Sequence, residues 1–196
     1  ASGYFLRLAE NFPDSPLASQ AVFASAHSLE RAKQDEKALR DWNEYVNRFP
    51  GASGLPEALF RKAVVEMRLE RNAEALATLD SLLARFPSSP RTPDAHFWRA
   101  QLLREKGSLK DAETAINAAL AANPSDDVRR EARFAPAMVL LMMGDREAEA
   151  AAIFQELVDD PIRDKFTPQQ FAWLSDYHFR KGEFAKANTV AQLLVK

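Results

Sequence analysis

Histidines and paired carboxylates are the side chains of this chain that could bind a metal or act as acids and bases. The three histidines are His27, His96 and His178, and no pair has the spacing that places two ligands on one helix face. The pairs Asp126–Asp127 and Asp159–Asp160 stand close to prolines, where carboxylates cap or solvate helix ends more readily than they catalyse. We predict structural roles for all of these groups and no metal site.

The motifs of nucleotide-binding and acyl-transfer enzymes are missing from the sequence. Its six glycines form no Gly-x-Gly-x-x-Gly or Gly-Lys-Ser/Thr loop that could cradle a phosphate. No Gly-x-Ser-x-Gly turn presents a serine nucleophile, and the absence of cysteine excludes thiolate chemistry. We predict a chain without catalytic activity of its own and without a cofactor.

Composition predicts a folded chain that does not bind nucleic acid. Of the 196 residues 46% are hydrophobic, which is enough for a sizeable core. The 26 basic and 28 acidic residues give a net charge of -2, so the cationic excess that phosphate contacts require is missing. The densest apolar run, from Met138 to Met143, is much shorter than the ~18 residues that cross a bilayer, so we expect no membrane insertion.

A step of 37 residues runs through the chain. It separates the prolines at positions 13, 50, 87, 124 and 161 and the phenylalanines at positions 23, 60, 97, 134 and 171. The same step relates small and larger apolar residues, namely Ala26, Ala63, Ala100 and Ala137, then Ala38, Ala75 and Ala112, then Trp42, Leu79, Ile116 and Ile153. Such a period indicates a stack of similar structural units.

Each unit has the pattern of two helices followed by a proline stop. Apolar residues recur three and four apart, as in Leu59, Phe60, Ala63, Val64 and Met67, which is the helical period. A break near Glu70, Gly107 or Gly144 supplies the turn between the helices, and the proline ends the second helix. We predict an all-α fold of antiparallel helix pairs in which the alanines allow close packing.

The pattern Phe60-x-x-Ala63, Ala75-x-x-x-Leu79 and Pro87 resembles the tetratricopeptide repeat (TPR), whose usual unit is 34 residues. The resemblance covers essentially the whole chain and implies a right-handed α-α superhelix, a TPR-like solenoid whose first helices line a concave binding face. The linker after the proline is three residues longer than in the usual repeat, and Phe86 opens the motif Phe-Pro-Ser-Ser. Both features resemble those of a bacterial envelope subfamily. That subfamily includes the periplasmic coordinator of the Tol-Pal system and the lipoprotein BamD, which implies a periplasmic or envelope-associated protein; a cytoplasmic one stays open.

The repeats are expected at 17–54, 55–92, 93–127 and 128–167, in a single array over 1–196. We expect 1–16 to be the second helix of a truncated repeat and 168–196 to be another truncated one, so that more repeats or end-to-end self-association would cover the ends. Glu149 replaces the alanine of the 37-residue step, and Leu174 stands at a small-residue site. We therefore expect less regular packing towards the C-terminus.

Residues at fixed offsets from the phenylalanines are candidates for the concave face. They are His27, Arg31, Met67, Arg68, Trp98, Gln101, Arg104, Met138, Leu141, Met142 and His178. The arginines suit a carboxylate or acidic peptide, and the methionines suit an apolar or helical segment. The phenylalanines themselves are either core residues or partly exposed on this face, and the methionines are either core or groove residues.

Three functions remain open at this point. The first is a scaffold that binds a peptide or helical segment of a partner protein on the concave face, in envelope biogenesis or secretion. The second is a structural spacer or self-assembly element, and the third is an accessory domain of a larger enzyme or secretion complex.

Overall fold

The computed structural model describes residues 17–160 and 166–193, together with Arg7, Asn11, Phe12 and Ser15. The expected helix of 1–16 and the proline at 161 therefore lie largely or wholly outside the described residues. Every regular element within them is an α-helix, in the order α1 (Ala18–Arg31), α2 (Asp35–Arg48), α3 (Leu55–Arg68), α4 (Asn72–Arg85), α5 (Thr92–Glu105), α6 (Leu109–Ala121), α7 (Asp126–Ala132), α8 (Ala135–Met143), α9 (Glu147–Val158), α10 (Pro168–Arg180) and α11 (Phe184–Gln192).

The chain divides into two compact units, an N-terminal unit of residues 1–102 and a C-terminal unit of residues 103–196. In the N-terminal unit α1 packs on α2, α3 packs on α4, and α2 contacts α3. In the C-terminal unit α8 packs on α9 and α10 on α11, while α6 contacts α8 and α9 contacts α10. The all-α class and the helix pairs predicted from the sequence are confirmed.

A left-handed residue marks the turn inside each helix pair. These residues have φ of 55° at Lys33, 59° at Glu70, 82° at Gly107, 79° at Gly144 and 75° at Gly182. At four of the five turns the next amide donates to the carbonyl five residues back, as from Arg71 to Glu66 at 2.9 Å. This Schellman bond satisfies a carbonyl that the helix end would leave free. The turns predicted at Glu70, Gly107 and Gly144 are confirmed.

The Phe-Pro sequences end second helices as predicted. Helices α2 and α4 stop at Arg48 and Arg85, and the following Phe49 and Phe86 turn their partly buried rings into the core. Asn123 occupies the same place in the next repeat but has φ of 58°, so the chain leaves α6 by a different route. Asparagine tolerates the left-handed region better than phenylalanine, because its short polar side chain bonds locally.

Alanines and large apolar residues alternate in the core as the 37-residue step predicts. Every alanine named for that step is almost fully buried, and so are Trp42, Leu79 and Ile116. Phe60, Phe97 and Phe134 are buried, whereas Phe23 and Phe171 are half-buried. The core interpretation of the phenylalanines is thus confirmed for the middle three repeats.

One inserted residue changes the core of the C-terminal unit. Helix α6 begins two residues after Gly107, but α9 begins three residues after Gly144. The second helix is therefore shifted by one residue, and Ala150 and Phe154 are fully buried while Ile153 is only partly buried. The expectation that Ile153 continues the packing of Ile116 is wrong, because a one-residue shift turns a helical side chain by 100°.

Candidate functional site

The candidate binding residues of the N-terminal unit lie on the first helix of each pair. His27 and Arg31 are on α1, Met67 and Arg68 are on α3, and Trp98 and Gln101 are on α5. We call these six residues the first-helix face. Arg31 and Arg68 are exposed, and the other four are half-buried.

Arg68 is not an open cation, because carboxylates of the preceding repeat already hold it. Its Nη2 donates to Asp35 Oδ1 at 2.8 Å and its Nε to Asp35 Oδ2 at 3.1 Å, a two-pronged contact between α3 and α2. Its Nη1 also lies 3.5 Å from Glu30 Oε1. The guanidinium therefore ties two repeats together, and a partner's carboxylate would have to compete with this pairing.

Glu30 is a buried carboxylate that the sequence analysis did not identify as part of the site. Its Oε1 lies 3.5 Å from Arg61 Nη1 and 3.5 Å from Arg68 Nη1, so two arginines of α3 balance one buried charge of α1. The repeat pattern could have predicted the pairing of Glu30 with Arg68, because these residues stand near the ends of successive first helices. Removing Glu30 would leave both arginines less well paired.

Apolar residues of the first-helix face contribute to the core and to the surface at once. Met67 and Trp98 pack as partly buried side chains against the core of the N-terminal unit. The Trp98 ring meets the buried Phe97 ring edge-on at 5.4 Å between centroids. Such side chains are anchored from below and still offer part of their surface to a ligand.

The methionine-rich part of the C-terminal unit is mostly core. Met138 and Leu141 pack against a cluster that includes Phe134 and Phe154. Gln170 of α10 donates its Nε2 hydrogen to Met138 Sδ at 3.1 Å, which further fixes this side chain. Met142 is different, since 53% of it is exposed. Arg104, the remaining candidate of α5, is half-buried.

His178 does not offer a surface to a partner, because only 4% of it is exposed. Its Nδ1 lies 2.6 Å from Glu183 Oε2 and its Nε2 lies 2.9 Å from Gln155 Oε1. The ring thus joins α9, α10 and the start of α11. The hydrogen bond from His178, with a further one from Lys186, holds the pKa of Glu183 below its ordinary value.

The other groups that could have carried chemistry have structural surroundings. Asp126 and Asp127 lie in the first turn of α7 and pair with Arg129 and Arg130. Asp160 pairs with Arg133 at 2.8 Å. Within the residues that the structure describes, no three histidine or acidic side chains come together in a way that could hold a metal ion.

Two exposed aromatic rings in the C-terminal unit were missed by the sequence analysis. Phe179 at the end of α10 and Phe184 at the start of α11 are each 62% exposed. Their rings meet edge-on with 5.4 Å between centroids. The exposure of Phe184 could have been predicted from its distance to Gly182. Phe184 follows Gly182 by two residues, as Asp35 follows Lys33, so it stands at the polar first position of a second helix.

Comparison with known proteins supports the resemblance to tetratricopeptide repeats. Residues 58–127 match the family model described as tetratricopeptide repeat. No curated protein sequence matches the chain. Among solved structures, that of MamA from position 41 to its end, from Desulfovibrio magneticus RS-1, is 18% identical with a TM-score of 0.70, covering 90% of this chain and 93% of that chain.

Two further solved structures have the same fold along the whole chain. YrrB, described as a TPR protein with an unusual peptide-binding site, is 18% identical with a TM-score of 0.73, covering 100% of this chain and 92% of YrrB. A tetratricopeptide repeat protein from Parabacteroides merdae ATCC 43184 is 19% identical with a TM-score of 0.71, covering 100% of this chain and 71% of that protein. The chain therefore has the TPR-like solenoid fold, and residues 58–127 carry the repeat in sequence as well. No helix in the described part of the chain is long and apolar enough to span a membrane.

Proposed function

We propose that this chain is a non-catalytic protein-interaction module whose first-helix face, the concave one by resemblance, binds an extended or helical peptide segment of a partner protein. The observation that carries the proposal is the half-buried state of Met67 and Trp98, beside which Gln101 is half-buried as well. A peptide that covers Met67 and Trp98 would bury apolar surface on side chains that the core already holds in place. The fold shared with YrrB, a TPR protein described with a peptide-binding site, supports the same function.

Charge selection on this face falls mainly to Arg31. Arg31 ends α1 and is exposed, whereas the equivalent Arg68 is engaged by Asp35. Among the described residues, Arg31 has no hydrogen bond or ion pair of its side chain that a partner's carboxylate would displace. We expect ligands that combine an acidic side chain with apolar residues, which would lie over Met67 and Trp98.

A peptide array tests this function. The chain should retain a small set of peptides, and Arg31→Glu should weaken the best of them about tenfold, because an attractive charge pair becomes repulsive. Arg40→Glu is the matched control, since Arg40 is exposed on the second helix α2 and the charge change is the same. Equal affinity of the two variants, or an array without a binder, would contradict the proposal.

We also propose that the protein works in the bacterial envelope. The longer linker and the Phe-Pro-x-Ser motif of the repeats support this location, because both resemble features of the envelope subfamily. Fractionation of cells that express the full-length gene with its own start tests it. Recovery with the periplasm or envelope is expected, and recovery with the cytosol alone would contradict it.

Self-association is a second candidate function, favoured by the exposed ring pair of Phe179 and Phe184. Two such pairs in contact would remove from water an apolar surface that otherwise remains exposed. Light scattering should then show a mass that rises with protein concentration and returns to the monomer value in the double variant Phe179→Ser and Phe184→Ser. A monomer at every concentration would rule this candidate out.

A further inference from the structure

A cleft of about 410 Å³ opens in the N-terminal unit at the beginning of α1. Its walls come from α1, from α2 and from the loop before α3, and they include Ser19, Gln20, Phe23, Tyr45, Ser53 and Gly54. The first-helix face begins at His27, closer to the other end of α1. The cleft is therefore a separate surface of the same unit.

The next repeat has an arginine side chain at the position that corresponds to Gly54. Gly54 and Arg91 are 37 residues apart, and the backbone around them has the same hydrogen bonds. The amide of Ala58 donates to Gly54 O at 2.9 Å, and the amide of Ala95 donates to Arg91 O at 2.8 Å. One turn earlier, Leu55 donates to Ala52 and Thr92 donates to Ser89, both at 3.0 Å. Side chains at 54 and 91 therefore leave equivalent backbone positions.

In that next repeat an arginine side chain covers the aromatic ring. Arg91 Cζ lies 5.0 Å from the centroid of the Phe60 ring, and Phe60 is the equivalent of Phe23. Arg91 Nη2 donates to Glu57 Oε1 at 3.0 Å and Nε donates to Oε2. Burial tends to raise the pKa of Glu57, but hydrogen bonds from Arg91 and Arg61 bring it below its ordinary value. The Phe60 ring and the Glu57 carboxylate thus form a guanidinium site that the chain fills with its own arginine.

The first repeat has the same ring without the arginine. Gly54 replaces Arg91, Gln20 replaces Glu57, and Phe23 is half-buried where Phe60 is buried. A Cβ on Gly54 would lie 2.7 Å from Tyr45 Oη and 3.7 Å from Phe23 Cδ2. A side chain at 54 would therefore overlap the tyrosine hydroxyl, so glycine is what allows Tyr45 to approach here, and Tyr45 and Phe23 both line the cleft.

We propose that this cleft binds the guanidinium group of an arginine side chain supplied by a partner protein. The planar cation stacks on Phe23, as Arg91 stacks on Phe60, and donates to the side-chain oxygens of Gln20 and Tyr45. Gln20 carries no charge, so the affinity for a single side chain is low. Specificity then comes from the ring face combined with several hydrogen-bond acceptors. This site and the first-helix face can be tested independently because their residues do not overlap.

Titration of the isotope-labelled chain with Nα-acetyl-arginine amide tests the proposal by nuclear magnetic resonance. Amide shifts are expected at Gln20, Phe23 and Gly54, with a dissociation constant on the order of millimolar. Nα-acetyl-citrulline amide has the same shape without the charge and should bind at least about threefold more weakly, because the cation-π attraction is lost. Equal binding of the two probes, equal binding of Nα-acetyl-lysine amide, or shifts confined to the first-helix face would overturn it.

Substitutions that make the first repeat resemble the second sharpen the test. Gln20→Glu should tighten binding of the arginine probe about three- to tenfold, since a charged acceptor strengthens the hydrogen bond. Gln34→Glu is the matched control, because Gln34 is exposed and lies outside the cleft. Indistinguishable affinities of these two variants would count against the proposal.

Closing the cleft should abolish binding. Gly54→Arg combined with Tyr45→Leu reproduces the side chains at 91 and 82 and avoids the contact with Tyr45 Oη. Should this double variant fail to fold, as judged by its circular dichroism spectrum, Phe23→Leu keeps an apolar side chain and removes only the ring. Phe23→Leu is expected to weaken the arginine probe at least about threefold. Unchanged affinity in either folded variant would refute the assignment.

Discussion

Replacing Glu70 by glycine should stabilise the protein, although it removes a side chain. Glu70 forms the turn between α3 and α4 with φ of 59°, a conformation in which the Cβ of a non-glycine residue crowds the backbone. The equivalent residues of later repeats are Gly107, Gly144 and Gly182, all with positive φ. The turn therefore accepts glycine without a change of path, and Glu70 is exposed.

The expected gain follows from two opposing contributions. A non-glycine residue in the left-handed region costs about 1 to 2 kcal/mol, which glycine does not. Glycine loses more backbone entropy on folding, and this offsets about 0.5 to 1 kcal/mol. The difference spans about 0 to 1.5 kcal/mol, so we expect Glu70→Gly to raise the free energy of unfolding by about 0.75 kcal/mol, and therefore the melting temperature by roughly 2 °C.

Urea unfolding followed by circular dichroism measures this change. Glu70→Ala is the matched control, because alanine loses the carboxylate but keeps the Cβ and hence the strain. Gly107→Ala is the reverse experiment and should lower stability by about 1 kcal/mol. Lys33→Gly repeats the test at the first turn, where φ is 55°. A Glu70→Gly variant no more stable than Glu70→Ala would show that these turns carry no strain.

Three further predictions concern buried or paired side chains. Trp42→Ala should cost about 3 to 5 kcal/mol in urea unfolding, because Trp42 is fully buried in the N-terminal unit; a loss below ~1 kcal/mol would contradict this role. Asp41 accepts the Ser25 hydroxyl hydrogen at 2.6 Å, and burial raises its pKa, so its contribution to stability is present at low pH and declines as pH rises through the folded pKa. Asp41→Asn should therefore remove this decline of stability as pH rises above the ordinary pKa of 3.8, and an unchanged profile would refute it. The hydrogen bond from His178 lowers the pKa of Glu183, so the stability that Glu183 contributes to the folded protein is lost as pH falls below the ordinary pKa of 4.5. Glu183→Gln should remove this acid-dependent loss from the unfolding of the C-terminal unit. An acid profile identical to that of the unchanged protein would refute the prediction.

Much of the fold was readable from the sequence because repetition fixes both secondary structure and packing. The 37-residue step predicted the helix pairs, their proline ends and the turns at Glu70, Gly107 and Gly144. It also predicted which alanines lie in the core, since a helix that packs against an equivalent neighbour must use equivalent residues. After Gly144 a one-residue insertion shifts the second helix relative to the 37-residue step, so Phe154 lies in the core instead of Ile153.

The candidate site was predicted less well, because spacing gives a residue's place on a helix but not its neighbours. Its spacing predicts Arg68 as a ligand for a partner's carboxylate, yet Asp35 and Glu30 of the preceding repeat hold it. The same spacing predicts His178 on the concave face, but His178 is buried between Gln155 and Glu183. In both cases the deciding contacts come from residues more than 20 positions away or across a turn, which no single-helix pattern contains.

The sequence alone determined the helical period, the left-handed turn positions, the proline stops and the absence of catalytic motifs, because these depend on local backbone chemistry and residue type. Only the tertiary structure decided which charges are already paired, which aromatic rings remain exposed and where a cleft stays open. Gly54 is the clearest instance: as a sequence feature it is one glycine in a loop. In the folded unit Gly54 stands next to Phe23, at the position from which Arg91 reaches over Phe60 in the next repeat. This relation depends on packing between helices that are distant in sequence.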